Sequence, residues 1–372
     1  MDMMFEAYLT HESGHLEPDD IPKNAQGPVW ILGVEYCHRG EYKSIFMLWF
    51  SYRRGFVSIG NSGLTSDKGW GCMLRCGQMV IAQALLFLHL GREWCWSPNK
   101  RDRDYLRILH MFEDVHSAPY SIHQIAISGL DEGKQVGEWF GPNTIAQVLK
   151  KLSVNDEWSS IAFHVALDNA LVINDVSKTS RRIACGLKDA AEATQRVWPF
   201  SKGGDRKSST RWKPLILIIP LRLGIAEIIL FRRSLKNTCF TFRQSLGVIG
   251  GKPNHAYISL YFARKRCDIS RPAHNSTCGF VQSKEQEHEK KVDCTYHCKH
   301  ASRLPILHMD PSVAVVMFLL QGRKDFDNLC QEIRMKLIIP EKQHLFELFD
   351  EKPQSWAPPD GSAEEALRAV GG

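Results

Sequence analysis

The most reactive setting in this 372-residue chain is that of Cys72, in the run TSDKGWGCMLR at 65–75. Glycines at 69 and 71 leave little side-chain bulk around Trp70 and the cysteine. Cys72 stands where a loop rich in Gly and Ser, 58–71, enters the apolar stretch CMLRCGQMVIAQALLFLHLG, 72–91. Unpaired N–H groups and the dipole at the start of a helix favour a thiolate. A thiolate beside an imidazole attacks carbonyl carbon. The alternative is a buried structural thiol, the role that suits Cys76 one turn later.

The elements that must position this sulfur follow from periodicity. Met73, Met79, Val80, Ala84 and Leu88 make 72–91 a helix apolar nearly all round, hence central, and Gly91 ends it. VWILG at 29–33 reads as a short strand, and Ile45, Leu48 and Trp49 give 41–54 a helical spacing. A helix is expected within 103–118. Another is expected over 141–153, capped by Asn143 or Thr144, with Ile145, Val148, Leu149 and Leu152 on one face. Segments 160–163, 170–172 and 215–219 are strand-like, LGVIGG at 246–251 marks a turn, and a late helix falls near 325–336. A helix first and scattered strands later predict an α+β fold.

Composition bounds the function. A hydrophobic fraction of 44%, ten Trp and eighteen Phe describe a globular chain with a sizeable core. The net charge of +6 comes without a basic stripe interleaved with aromatics, so nucleic-acid binding is not expected. The opening MDMMFEAYLT is not a secretion signal, and no run of eighteen apolar residues predicts a membrane span. Eleven Cys at irregular spacings fit a reduced compartment, the cytoplasm, better than a disulfide framework. Residues 1–27 read as a polar arm, 28–350 as the folded domain and 351–372 as a tail.

Seven segments in order carry a resemblance to a known family. They are PVWILG (28–33), LWFSYRRGF (48–56), TSDKGWGCMLRCGQM (65–79), GEWFGPNTIAQVLKKLS (137–153), PLILIIPLRLG (214–224), SLGVIGGKPN (245–254) and MDPSVAV (309–315). With them the chain resembles the autophagy cysteine proteases, or autophagins. The resemblance implies a papain-like core with a small additional subdomain. It also implies cleavage of a ubiquitin-like autophagy modifier after a glycine near its C-terminus, and release of that modifier from phosphatidylethanolamine. Carried over by motif, Cys72 is the nucleophile and Tyr52 the tyrosine whose hydroxyl helps form the oxyanion hole. Trp139 lies over the substrate cleft, opposite a glycine loop containing Gly250, Gly251, Lys252 and Pro253. The partners implied are the free precursor and the lipidated modifier, with membrane contact only through substrate. The resemblance implies no cofactor and no metal, and a monomer is expected. Read from residues alone, Tyr52 and Trp139 are equally packed core aromatics.

One family feature is missing. The family places aspartate and histidine in an Asp-Pro-His strand soon after GGKPN, where residues two apart face one side. This chain reads GGKPNHAYISLYFARKRCDISRPAHNST from 250 to 277. One permitted set of codons for 267–277, read one base later, encodes VIYLDPHTTQ, which restores the pair. Part of 257–292 therefore reads as out of frame. Taken as it stands, the chain offers His274 as general base and Asp268 as its orienter, with His255 a weaker base. Two rival readings remain. One is a zinc site from Cys294, His297, Cys298 and His300 with Cys278 and His274 nearby. The other is a protein that binds the modifier without cleaving it.

Overall fold

A computed structural model describes residues 29–36, 48–97, 102–181, 212–224, 239–251, 256–263, 266–270, 275–277, 293, 295–297, 302–305, 310–319, 322–340, 344–353 and 356. The elements run β1 (Val29–Ile31), β2 (Val34–Tyr36), β3 (Tyr52–Arg54), α1 (Cys72–His89), α2 (Arg103–His110), α3 (Ile122–Ser128) and α4 (Pro142–Leu152). There follow β4 (Ala162–Val165), β5 (Ala170–Val172), α5 (Ile173–Ser180), β6 (Leu215–Arg222), β7 (Ser245–Gly250), β8 (Tyr257–Ala263), β9 (Arg266–Ser270) and β10 (Asn275–Thr277). β11 (Ser302–Pro305), β12 (Ser312–Leu319), α6 (Arg323–Ile333) and β13 (Glu347–Phe349) complete the order. The class is α+β, with the papain-like arrangement of a central helix packed on a mixed sheet. The arm at 1–27 and residues 357–372 of the tail lie outside the described residues.

The main sheet has the order β11-β9-β8-β7-β12-β6-β4, with β1 joined to β8 and β2 to β1. Its central strands are apolar at nearly every position because both faces are covered. Alternate residues divide between two cores, as the pleat requires. Ile216, Ile218, Ile249, Ala314, Val316 and Phe318 face the side of α1, α3 and α4. Leu215, Leu217, Ile219, Val248, Val315 and Met317 face the side of α6. Helix α1 is long and apolar enough by composition to cross a membrane, yet seventeen of its eighteen residues are buried inside the protein. It packs on β7 and β8 as the central helix expected from its pattern.

Several sequence expectations are corrected here. Tyr52–Arg54 is a strand, not part of a helix; it pairs in parallel with β10, and that distant partner outweighs the local spacing. Residues 245–250 form the buried strand β7, not a turn. Gly250 is small for a packing reason: a Cβ there would sit 3.0 Å from the Tyr257 hydroxyl and from Val313. Helix α4 is capped by Gly141 with Pro142 at its first position, so neither Asn143 nor Thr144 is the cap. The 103–118 helix stops at His110, where a series of turns begins.

Candidate active site

Cys72 is the first residue of α1, 1% exposed. Gly71 provides no side-chain cap, so the opening N–H groups of the helix are free to face the sulfur. Four donors converge there: the backbone N–H groups of Ala256 and Met73, the Tyr52 hydroxyl and the Trp139 indole N–H. Burial pushes the thiol above its ordinary value, and these four donors pull it back toward the thiolate. Trp139 Nε1 is buried with no hydrogen-bond partner, and its N–H favours charge on the sulfur least of the four. The Tyr52 phenol is 3% exposed. Burial, then the neighbouring Cys72 and Asp67, hold its pKa far above the usual range, so it stays a neutral O–H donor.

Three sequence-predicted residues, Cys72, Tyr52 and Trp139, are thus brought together. The glycine wall joins them. Gly250 is the cross-strand partner of Tyr257, the residue after Ala256. Gly251 follows with a φ of 141°, a conformation that excludes most side chains. Lys252, Pro253, His255 and His274 lie outside the described residues.

Asp268 is not brought to the site. In β9 it pairs with Tyr261, five residues along β8 from the Ala256 N–H that touches the sulfur. At the strand rise its backbone lies about 16 Å along the sheet from Ala256. The chain returns to the site at both ends of the intervening stretch. Ser270 pairs with Ile258, two residues from Ala256, and Asn275 pairs with Tyr52.

The zinc reading gains nothing among the described residues, which hold no cluster of three or more ligands. His297 is engaged elsewhere. Its Nε2 is 2.7 Å from the Tyr105 hydroxyl, and its ring stacks on Trp96 at 3.8 Å. Tyr105 donates in turn to Asp293, as does Trp96 Nε1 at 3.2 Å. This cluster secures a segment that also braces the residues around Tyr52. Trp49 N–H donates to the Tyr296 carbonyl at 2.8 Å, and the Arg53 guanidinium lies 4.7 Å from the centre of the Tyr296 ring.

A buried ionic network beneath the nucleophile is the feature that sequence reading missed. Arg75, 1% exposed, donates from Nε to Asp67 Oδ2 at 2.8 Å and from Nη1 to Asp114 Oδ1 at 2.9 Å. Nη1 also reaches Gln78 Oε1 at 3.0 Å. Asp67 and Arg75 were both visible within TSDKGWGCMLR; the signal was an opposite-charge pair closing on an apolar helix. Nothing local marks Asp114, which is 39 residues away.

Comparison with known proteins accords with this geometry. The Peptidase C54 catalytic domain matches residues 40–332. The chain is 44% identical over 342 residues to the cysteine protease ATG4A of Gallus gallus, covering 89% of this chain and 88% of that one. It is 43% identical over 339 residues to ATG4A of Homo sapiens, covering 89% and 84%. It is 40% identical over 368 residues to the cysteine protease ATG4B of Xenopus laevis, covering 95% and 91%.

Proposed function

The chain belongs to the C54 peptidase family, the autophagy cysteine proteases, and from that premise we propose that it cleaves a ubiquitin-like autophagy modifier after a glycine near its C-terminus and frees the same modifier from phosphatidylethanolamine. The observation that carries this reading is the convergence of Tyr52, Met73 N–H, Ala256 N–H and Trp139 on one sulfur at the start of α1. Gly251, with a φ of 141° just after β7, would suit the approach of a substrate tail that itself ends in glycine. The reaction belongs to the cytoplasm, and a single chain suffices for it.

Cys72 thiolate attacks the glycine carbonyl, and the Tyr52 hydroxyl with a backbone N–H holds the oxyanion. Collapse expels the amine, either of the following residue or of the lipid head group. Water then hydrolyses the thioester. In this reading the base that takes the thiol proton and returns it to the leaving amine is His274, the candidate the sequence offers. Asn275 lies against Tyr52, and Ser270 lies two residues from the level of Ala256. Cys72→Ala is expected to abolish cleavage of a C-terminally extended modifier while leaving binding intact; turnover by that variant would overturn the assignment.

A second reading has its own support. The groups that act on Cys72 among the described residues are all donors, and the sequence has no Asp-Pro-His. Such a chain would bind the modifier without cleaving it. Sequencing the transcript across codons 250–300 separates the two. A restored Asp-Pro-His makes this an ordinary triad protease, with the restored histidine as base in place of His274. The residues as they stand, combined with absent turnover, make it a binding protein.

A further inference from the structure

Asp67 makes contacts on three sides. Its Oδ1 accepts the backbone N–H of Arg53, the residue after Tyr52, at 2.6 Å. Its own N–H donates to the Arg53 carbonyl at 3.3 Å. Its carbonyl accepts from Trp70 N–H at 3.3 Å and Gly71 N–H at 2.8 Å, which closes the turn that ends at Cys72. Its Oδ2 accepts from Arg75 Nε, one turn into α1. Gly71 has to be glycine for this to fit, since a Cβ there would meet the Asp67 Cβ and Oδ2 at 2.6 Å. The carboxylate is fully buried, and Arg75 and Asp114 complete its charge environment.

We propose that Asp67 is a positioning residue for the peptidase reaction: it ties the strand carrying Tyr52 to the first turn of α1, and so fixes the oxyanion donor relative to the nucleophile. The inference rests on the reading of Cys72 and Tyr52 given above. The backbone of β3 and the start of α1 touch the same carboxylate from opposite sides, so neither shifts without breaking a charge-assisted hydrogen bond. A misplacement of about 1 Å in such a pair costs up to about 100-fold in rate.

Two variants test this, with Cys72→Ala as the control for the underlying reading. Asp67→Asn keeps the size but sets an amide against Arg75. Gly71→Ala keeps every charge but pushes the Asp67 side chain aside. Turnover of a C-terminally extended modifier and the pH dependence of Cys72 alkylation by iodoacetamide are measured on the full chain. Turnover per alkylatable Cys72 is expected to fall about 10- to 100-fold in both variants, with KM unchanged. The alkylation midpoint is expected to fall in Asp67→Asn, which loses a negative charge near the thiol, and to stay in Gly71→Ala. A purely structural role would lower the alkylatable fraction and turnover together. Unchanged turnover per alkylatable thiol in Gly71→Ala, or in both variants, overturns the proposal; where Asp67→Asn does not fold, Gly71→Ala decides alone. Full activity in Cys72→Ala would instead sink the catalytic reading beneath it.

Discussion

Removing the Tyr52 hydroxyl is the sharpest perturbation this site permits. Tyr52→Phe retains the ring, which is buried in the same core as Phe50 and Phe56. It deletes one donor and leaves behind only a sulfur, a weak acceptor that tolerates the loss. Stability should therefore hold. Deleting one oxyanion donor costs about 10²–10³ in kcat, or about 2.7–4 kcal/mol. In the proposed mechanism a backbone N–H still holds the oxyanion, so the low end applies, about 10²-fold. The hydroxyl also favours the thiolate, so the pH midpoint of Cys72 alkylation should rise when it goes. No new pH limb should appear, because the phenol of the parent protein is kept neutral by burial. The assay is single-turnover cleavage of an extended modifier, with KM measured separately. A kcat within about three-fold of the parent, at equal KM, would refute the placement of Tyr52 at the oxyanion.

Two further outcomes follow from buried charges. Arg75→Met should destabilise the fold by about 3–5 kcal/mol, since it strands Asp67 and Asp114 without their cation, and thermal unfolding should drop by about 5 °C; adding Asp114→Asn should return part of the loss. His89 is stacked on Trp158 at 3.8 Å with Nε2 buried and unpaired, and burial lowers its pKa to about 4. The unfolded chain then binds the proton first, so this stability is in full force above about pH 6.5 and is lost as pH falls toward about 4. His89→Phe should flatten that decline in a melting series over this window. It should not abolish it, because burial also lowers His164 to about 4.

Local pattern carried the nucleophile half of the site and little of what surrounds it. The apolar run from 72 predicted α1, and its first residue is Cys72, because a helix buried on all sides leaves a periodic record in the chain. Trp139 and Tyr52 were placed by motif alone; their own periodicity pointed to core. The segment at 41–54 misled at its end, because Tyr52–Arg54 pairs with β10, a partner more than 200 residues on that local spacing does not show. Gly250 misled because a glycine that admits a neighbouring tyrosine looks, in sequence, like one that turns the chain. Asp114 was out of reach for the same reason: a salt bridge between residues 39 apart has no local signature.

The site divides into two halves of different origin, and this bears on what a frame change would do. The donors and the sulfur come from residues 52–75, Trp139 and the start of β8; the Asp67–Arg75 network ties β3 to α1, while β10 and β9, within 264–292, pair with β3 and β8. On the reading proposed above, the base would be supplied from beyond β8. Losing the orienting carboxylate alone costs orders of magnitude in rate while leaving geometry elsewhere intact. A chain altered only between β8 and the Asp293–His297 cluster would keep the Asp67–Arg75 tie between β3 and α1, and with it an alkylatable Cys72, while the strand partner of Tyr52 would change along with turnover. Fold and thiol chemistry report on the first half of the site; only turnover reports on the second.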